Sequence, residues 1–138
     1  MRFILALPLA LAACVTASSA AEITGADWQL IAQDGVRISY PASFSIDASG
    51  RVTGKAPCNS YFGQNGVNLP ALSLGALGST RMTCPRQGDE DGYLRALSVM
   101  TAAEIRGETL VLTGPDDRSL EFSQDPGSKS LICDTCGG

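Results

Sequence analysis

Apolar and polar residues alternate along most of this chain in short runs, broken by glycine, proline, asparagine and aspartate. In Ser43-Phe44-Ser45-Ile46-Asp47 the two apolar side chains face one way and the serines the other, which predicts a half-buried strand. Residues 28–33 and 36–40 flank Asp34-Gly35, a two-residue hairpin signal. Ala48-Ser49-Gly50 then turns the chain into residues 51–56, so three or four short strands precede Cys58. Asn65-Gly66 reads as a second hairpin turn, and residues 72–77 and 79–84 as short strands around Gly78. Toward the end, Leu110, Leu112, Leu120 and Phe122 alternate on either side of Pro115-Asp116-Asp117, which predicts a closing hairpin.

One segment has a different period. Tyr93, Leu94, Leu97 and Met100 recur at helical spacing, with Ala96 on the same broad face. Asp89, Glu90 and Asp91 fall in the first turn, where the helix dipole favours anions. Gly92 costs such a helix up to about 1 kcal/mol. The expectation is an α+β, mostly β, domain with one amphipathic helix over about 88–102.

The first residues have another character. Arg2 is followed by an apolar run from Phe3 to Ala13, short of the ~20 residues that span a bilayer. It reads as an export signal over residues 1–13. Leu11-Ala12-Ala13-Cys14 resembles the bacterial lipobox, in which the cysteine becomes the first mature residue and carries acyl chains. The competing reading is ordinary cleavage after Ala20 or Ala21. Either way the mature chain is expected to be exported, to a bacterial envelope. It is membrane-anchored and periplasm-facing in the first case and soluble periplasmic in the second. Residues 14–26 read as a tether, residues 27–123 as the folded domain and residues 124–138 as a tail.

The 138 residues make room for one domain, and 15 glycines with 7 prolines fit a turn-rich β fold. A net charge of −4 argues against nucleic acid, which needs a basic patch. There is no histidine. That removes Ser-His-Asp and Cys-His catalysis and the usual zinc and copper sites, so no catalytic residue, metal or cofactor is assigned. A general base would have to be Asp, Glu, Lys or Tyr. Asp89, Glu90 and Asp91 read as solvated charge at a helix start rather than an acid–base pair or cation site, and Asp116-Asp117 as turn residues.

Several positions together resemble the META domain, or HslJ-like, family. They are Trp28 on the first strand, Gly54, Cys58-Asn59 with Tyr61 and Gly63, then Thr80-x-Met82-x-Cys84, the helix with Leu94 and Leu97, and the final hairpin. Pro57 stands where the family commonly has glycine, and the terminal Cys-Asp-Thr-Cys lies outside its pattern. The resemblance implies a small antiparallel β-barrel-like or strongly bent sheet with one packed helix. It implies envelope lipoproteins linked to stress or drug tolerance, and no agreed catalytic residue.

Four cysteines remain beyond Cys14, an even number in an exported chain. Cys58 and Cys84 are expected to pair as a structural staple; the alternative is a reactive thiol with Arg81 and Arg86 nearby. Cys133-x-x-Cys136 has thioredoxin spacing without the helix such motifs open, and is expected to close on itself in the tail. Metal capture, disulfide exchange and swapped pairing remain open for it. Asn59 is expected to adopt a left-handed turn or bond back to the chain, with a ligand-facing role as the alternative. Tyr61 and Phe62 read as core or partner-facing residues. These features lead to a non-enzymatic envelope module, membrane-attached through Cys14, that binds a protein partner or a small apolar ligand and no nucleic acid. The alternatives are a thiol-disulfide or metal-handling factor using the terminal pair, and a purely structural envelope protein.

Overall fold

The computed structural model describes residues 20–125. The expected signal segment, Cys14, Cys133 and Cys136 lie outside the described residues.

The described residues begin with a short helix, α1 (Ala20–Ile23), followed by strands β1 (Trp28–Gln33), β2 (Val36–Arg37), β3 (Ser43–Ile46), β4 (Arg51–Lys55), β5 (Ser60–Gln64) and β6 (Gly78–Ser79). Helix α2 (Gln87–Ser98) comes next, then β7 (Ala102–Arg106), β8 (Thr109–Thr113) and β9 (Ser119–Ser123). All pairings are antiparallel, in the order β6-β5-β4-β3-β1-β9-β8-β7, with β2 folded onto β1. This is the expected α+β, mostly β, architecture, a long curled sheet with one substantial helix.

The alternation read from the sequence is the burial pattern observed. Trp28, Leu30 and Ala32 of β1 and Phe44 and Ile46 of β3 point inward, and their neighbours are partly exposed. From α2, Tyr93, Ala96 and Leu97 enter the same core, joined by Met100 just beyond the helix. Each large side chain fully removed from water there contributes about 1.5–3 kcal/mol. Asp34 and Gly35 both have positive φ, 50° and 82°, the geometry of a tight two-residue hairpin.

Four expectations need correction. Residues 20–26 are not a bare tether: Ile23 is fully buried and its carbonyl accepts the Trp28 indole N–H at 3.1 Å. The helix stops at Ser98, short of the expected end near 102, because residues 102–106 pair with β8 as a strand the sequence reading missed. Asn65-Gly66 is no hairpin turn. Asn65 is buried, its amide donates to the Ala71 carbonyl at 3.1 Å and its oxygen accepts from the Ser73 N–H at 2.8 Å. Instead of two short strands around Gly78, residues 72–84 contain only the two-residue β6; Leu72 and Leu74 are buried from irregular backbone, with Gly75 at a φ of 58° just after them.

The misread stretch has a structural task. Leu72 N–H donates to the Thr101 carbonyl and Ala103 N–H to that of Pro70, while Gly66 N–H donates to Ser73. Residues 65–73 thus link the end of β5 to the outer edge of β7, tying the two ends of the sheet together without a continuous ladder.

Candidate functional site

The most heavily cross-linked part of the molecule is built on the start of β5. Cys58 and Cys84 are joined by a disulfide, with Cα atoms 5.9 Å apart. Asn59 stands beside it, 4% exposed. It does not adopt a left-handed conformation; its side chain bonds outward to other segments. The amide nitrogen donates to the Met82 carbonyl at 3.0 Å, and the amide oxygen accepts from Met82 N–H at 2.6 Å and from the Thr80 hydroxyl at 3.0 Å. One asparagine side chain therefore completes the pairing of an extended segment where β6 has ended, because its amide carries both a donor and an acceptor.

The second half of this clamp comes from α2. Glu90 is 2% exposed and accepts four hydrogen bonds. Oε1 takes the backbone N–H of Cys58 at 3.1 Å and of Asn59 at 2.7 Å; Oε2 takes the Asn59 side-chain amide at 2.7 Å and that of Gln87 at 3.1 Å. The expectation of a solvated acidic turn fails here. Asp89 is exposed and ion-paired with Arg86 at 3.3 Å, whereas Glu90 is an interior acceptor. The signal for it was present in the spacing. Residues 90, 93, 97 and 100 lie on one helical stripe, so Glu90 shares the buried face with Tyr93, Leu97 and Met100.

Below the clamp sit two tyrosines. Their rings meet edge to face at 5.7 Å, and their hydroxyls are 2.8 Å apart. The Tyr61 hydroxyl donates to the Ser43 carbonyl at 2.5 Å, with the Tyr93 hydroxyl 3.2 Å from the same oxygen. Burial pushes both phenols well above their ordinary range; the bond from Tyr93 partly opposes this for Tyr61, and the neighbouring Tyr61 adds to it for Tyr93. Gly54 lies opposite Tyr61 in the ladder, and a Cβ there would overlap the Ser43 carbonyl and the Tyr61 hydroxyl. Gly54 and Gly63 were singled out by the family resemblance without a structural role. Both lie inside strands, where close approach demands glycine: Gly63 lies under the Leu77 side chain.

The clamp has a surface on each side. Between β6 and α2 runs a groove of ≈ 500 Å³, lined by Phe62, Leu77, Met82 and Leu94 together with Arg81 and Asp91. Phe62 is 51% exposed with its ring over Gly78, and Met82 is 64% exposed. Met82 is thus fixed through its backbone while its thioether reaches solvent. Across the outer face of the sheet lies a second cleft of ≈ 570 Å³, in which Gln29, Ser43, Lys55 and Ser60 lead from the middle strands to Cys58 and Met82. Trp28, also singled out in the sequence, belongs to the core on β1 and not to the clamp. Among the described residues, no group of three or more Cys, Asp or Glu is placed to hold a metal ion.

A family model described as META domain matches residues 21–127. The fold is similar to an NMR structure of a protein from Burkholderia xenovorans, at 24% identity and a TM-score of 0.61, covering 87% of this chain and 97% of that one. It is also similar to a crystal structure of a DUF4847 family protein from Bacteroides vulgatus, at 12% identity and a TM-score of 0.56, covering 77% and 96%. No curated protein matches.

Proposed function

The chain belongs to the META domain family, and on that premise we propose that it is a non-enzymatic binding module of the bacterial envelope, anchored through an acylated Cys14, that holds an extended segment of a protein partner between β6 and α2. The observation that carries the reading is the pair of exposed apolar side chains, Phe62 and Met82, on a rigid support beside a two-residue edge strand. Sheet edges are where an added strand docks, with backbone bonds giving affinity and side-chain pockets giving choice. Methionine adapts its shape to different apolar partners. The interior argues for a protein rather than an enclosed apolar ligand, since Phe44, Tyr61, Tyr93, Phe122 and the leucines between them fill it.

Site-specific photo-crosslinking in the envelope tests this. A crosslinker at position 62 is expected to capture one discrete protein, and Met82→Glu to abolish that capture. A crosslinker at exposed Val36, on the β1–β2 hairpin, should capture nothing comparable. Equal capture from both positions overturns the groove assignment. Mass spectrometry of the protein extracted from membranes tests the anchor separately: an acylated N-terminal Cys14 is expected, and a chain beginning after Ala20 or Ala21 refutes it.

A further inference from the structure

We propose that the cleft on the outer face of the sheet binds a small amphipathic carboxylic acid, with its carboxylate at Lys55 and its hydrocarbon part against Pro41, Pro57 and Met82. The strand registers build the polar side of this cleft. Gln29 of β1 is paired with Ser43 of β3, and the Ser43 hydroxyl oxygen accepts the Lys55 N–H at 3.0 Å. Lys55 of β4 is paired with Ser60 of β5, whose N–H donates to the Thr80 hydroxyl oxygen at 3.2 Å. Five polar side chains therefore stand in one row across the sheet, about 5 Å apart, with the lysine in the middle. Alternation turns the row outward, since Trp28, Phe44 and Tyr61 beside it are buried.

The charge in this row is not neutralised. Among the described residues the Lys55 ammonium has no ion pair, and no Asp or Glu lines the cleft. This is so in a chain with 14 acidic residues against 10 basic ones, so the lining does not follow the average composition. Ser43 and Ser60 flank the lysine. The Ser43 oxygen accepts a bond and keeps its proton to donate, and the Ser60 hydroxyl makes no hydrogen bond among the described residues. The Thr80 hydroxyl is different: it is already spent on Asn59 Oδ1 at 3.0 Å and closes the row. An ammonium with a hydroxyl donor on either side is a receptor for a single carboxylate, because three donors converge and no anion competes.

The other side of the cleft offers no such groups. Pro41 and Pro57 have no backbone N–H, and Met82, 64% exposed, supplies a thioether whose shape adapts to hydrocarbon. Asn59 fixes the Met82 backbone, so that apolar end keeps its place relative to the lysine. The volume, ≈ 570 Å³, lies in the range that takes small ligands. A polyanion would leave the apolar wall in water, and a plain hydrocarbon would strip water from the ammonium without replacing it. An acid with a short alkyl chain serves both sides. The site lies on the other flank of Met82 from the β6–α2 groove and does not rest on the partner reading, which its own crosslinks decide.

Nitrogen–proton correlation NMR of the isotopically labelled mature chain tests the proposal, with octanoate, butyrate and octanol as probes. Octanoate is expected to give saturable shifts below about 20 mM, centred on the amides of Ala42, Lys55 and Ser60. Butyrate should bind more weakly, by up to about fourfold for each methylene that octanoate seats. Octanol should bind at least about tenfold more weakly than octanoate, and added salt should narrow that gap. Lys55→Met keeps the stem and removes the charge; it should weaken octanoate at least about tenfold and leave octanol unchanged, while Lys55→Arg retains most of the affinity. The same spectra show that each variant is folded. Shifts that fail to saturate, shifts centred on Leu77 and Leu94 in the other groove, equal binding of octanoate and octanol, or equal binding of octanoate and butyrate each overturn the assignment.

Discussion

Replacing Glu90 by glutamine separates an electrostatic requirement from a packing one. The two side chains have the same shape, so a site that only needs volume would accept glutamine. Glu90, however, faces donors alone: two backbone N–H groups at Oε1 and two side-chain amides at Oε2. Whichever oxygen becomes NH2, two donors lose their acceptor and confront another donor. Bonds to a carboxylate contribute about 1.5–3 kcal/mol each, so the loss of two is about 3–6 kcal/mol, a large part of the roughly 5–15 kcal/mol that holds a typical domain together. Urea unfolding without reductant, which keeps the staple closed, measures it. With a slope of about 2 kcal/mol/M, the midpoint should fall by about 2 M. Glu90→Ala should fall further, since it leaves all four donors unserved. A Glu90→Gln variant whose midpoint lies within about 0.3 M of the natural protein's would falsify the acceptor argument, and with it the view that Glu90 holds the Cys58-Asn59 turn.

Gly54→Ala is expected to lower stability by about 2–3 kcal/mol, because its Cβ meets the Ser43 carbonyl and the Tyr61 hydroxyl and neither has room to yield. By contrast Gly92→Ala, on a helix face with nothing within 4 Å, should raise stability by about 1 kcal/mol; thermal unfolding measures both. The raised Tyr61 and Tyr93 hydroxyls give a stability that is fully present below pH ~10 and declines above it, as the unfolded chain ionises its tyrosines first. Urea midpoints between about pH 8 and 11 should show this decline, and it should shrink in Tyr61→Phe/Tyr93→Phe; a decline unchanged in that variant assigns the effect to other groups. Replacing Cys58 and Cys84 together by Ala should cost about 3–4 kcal/mol for a loop of this length, checked by denaturant titration.

Where local chemistry determined structure, the sequence was readable. Asp34-Gly35 set a hairpin, Phe44 and Ile46 showed the buried side of β3, and the 93–94–97 spacing showed a helix. Cys58-Asn59 and Thr80-x-Met82-x-Cys84 belonged together, as their bonds now show. Features set by distant partners were not readable. Ala102-Ala103-Glu104 carries little strand preference, and those residues are extended because β8 and Pro70 supply their hydrogen bonds. Leu72 and Leu74 alternate as a strand would, yet the core claims them from irregular backbone. Glu90 lies among acidic neighbours that mimic a solvated helix start, and only the donors brought by the turn before β5 distinguish it from Asp89.

The pairing of β1 with β9 makes the first and last long strands neighbours, joining residues near 30 to residues near 121. No partial chain that stops short of residue 123 can complete the middle of the sheet, because without β9 nothing joins β1 to the β7–β8 pair. Folding is therefore postponed until residue 123 has been made, and the many distant contacts make the final closure slow. For a chain exported as proposed, this delay is useful: it keeps the polypeptide threadable during transit and lets the sheet close only when both ends have arrived on the same side.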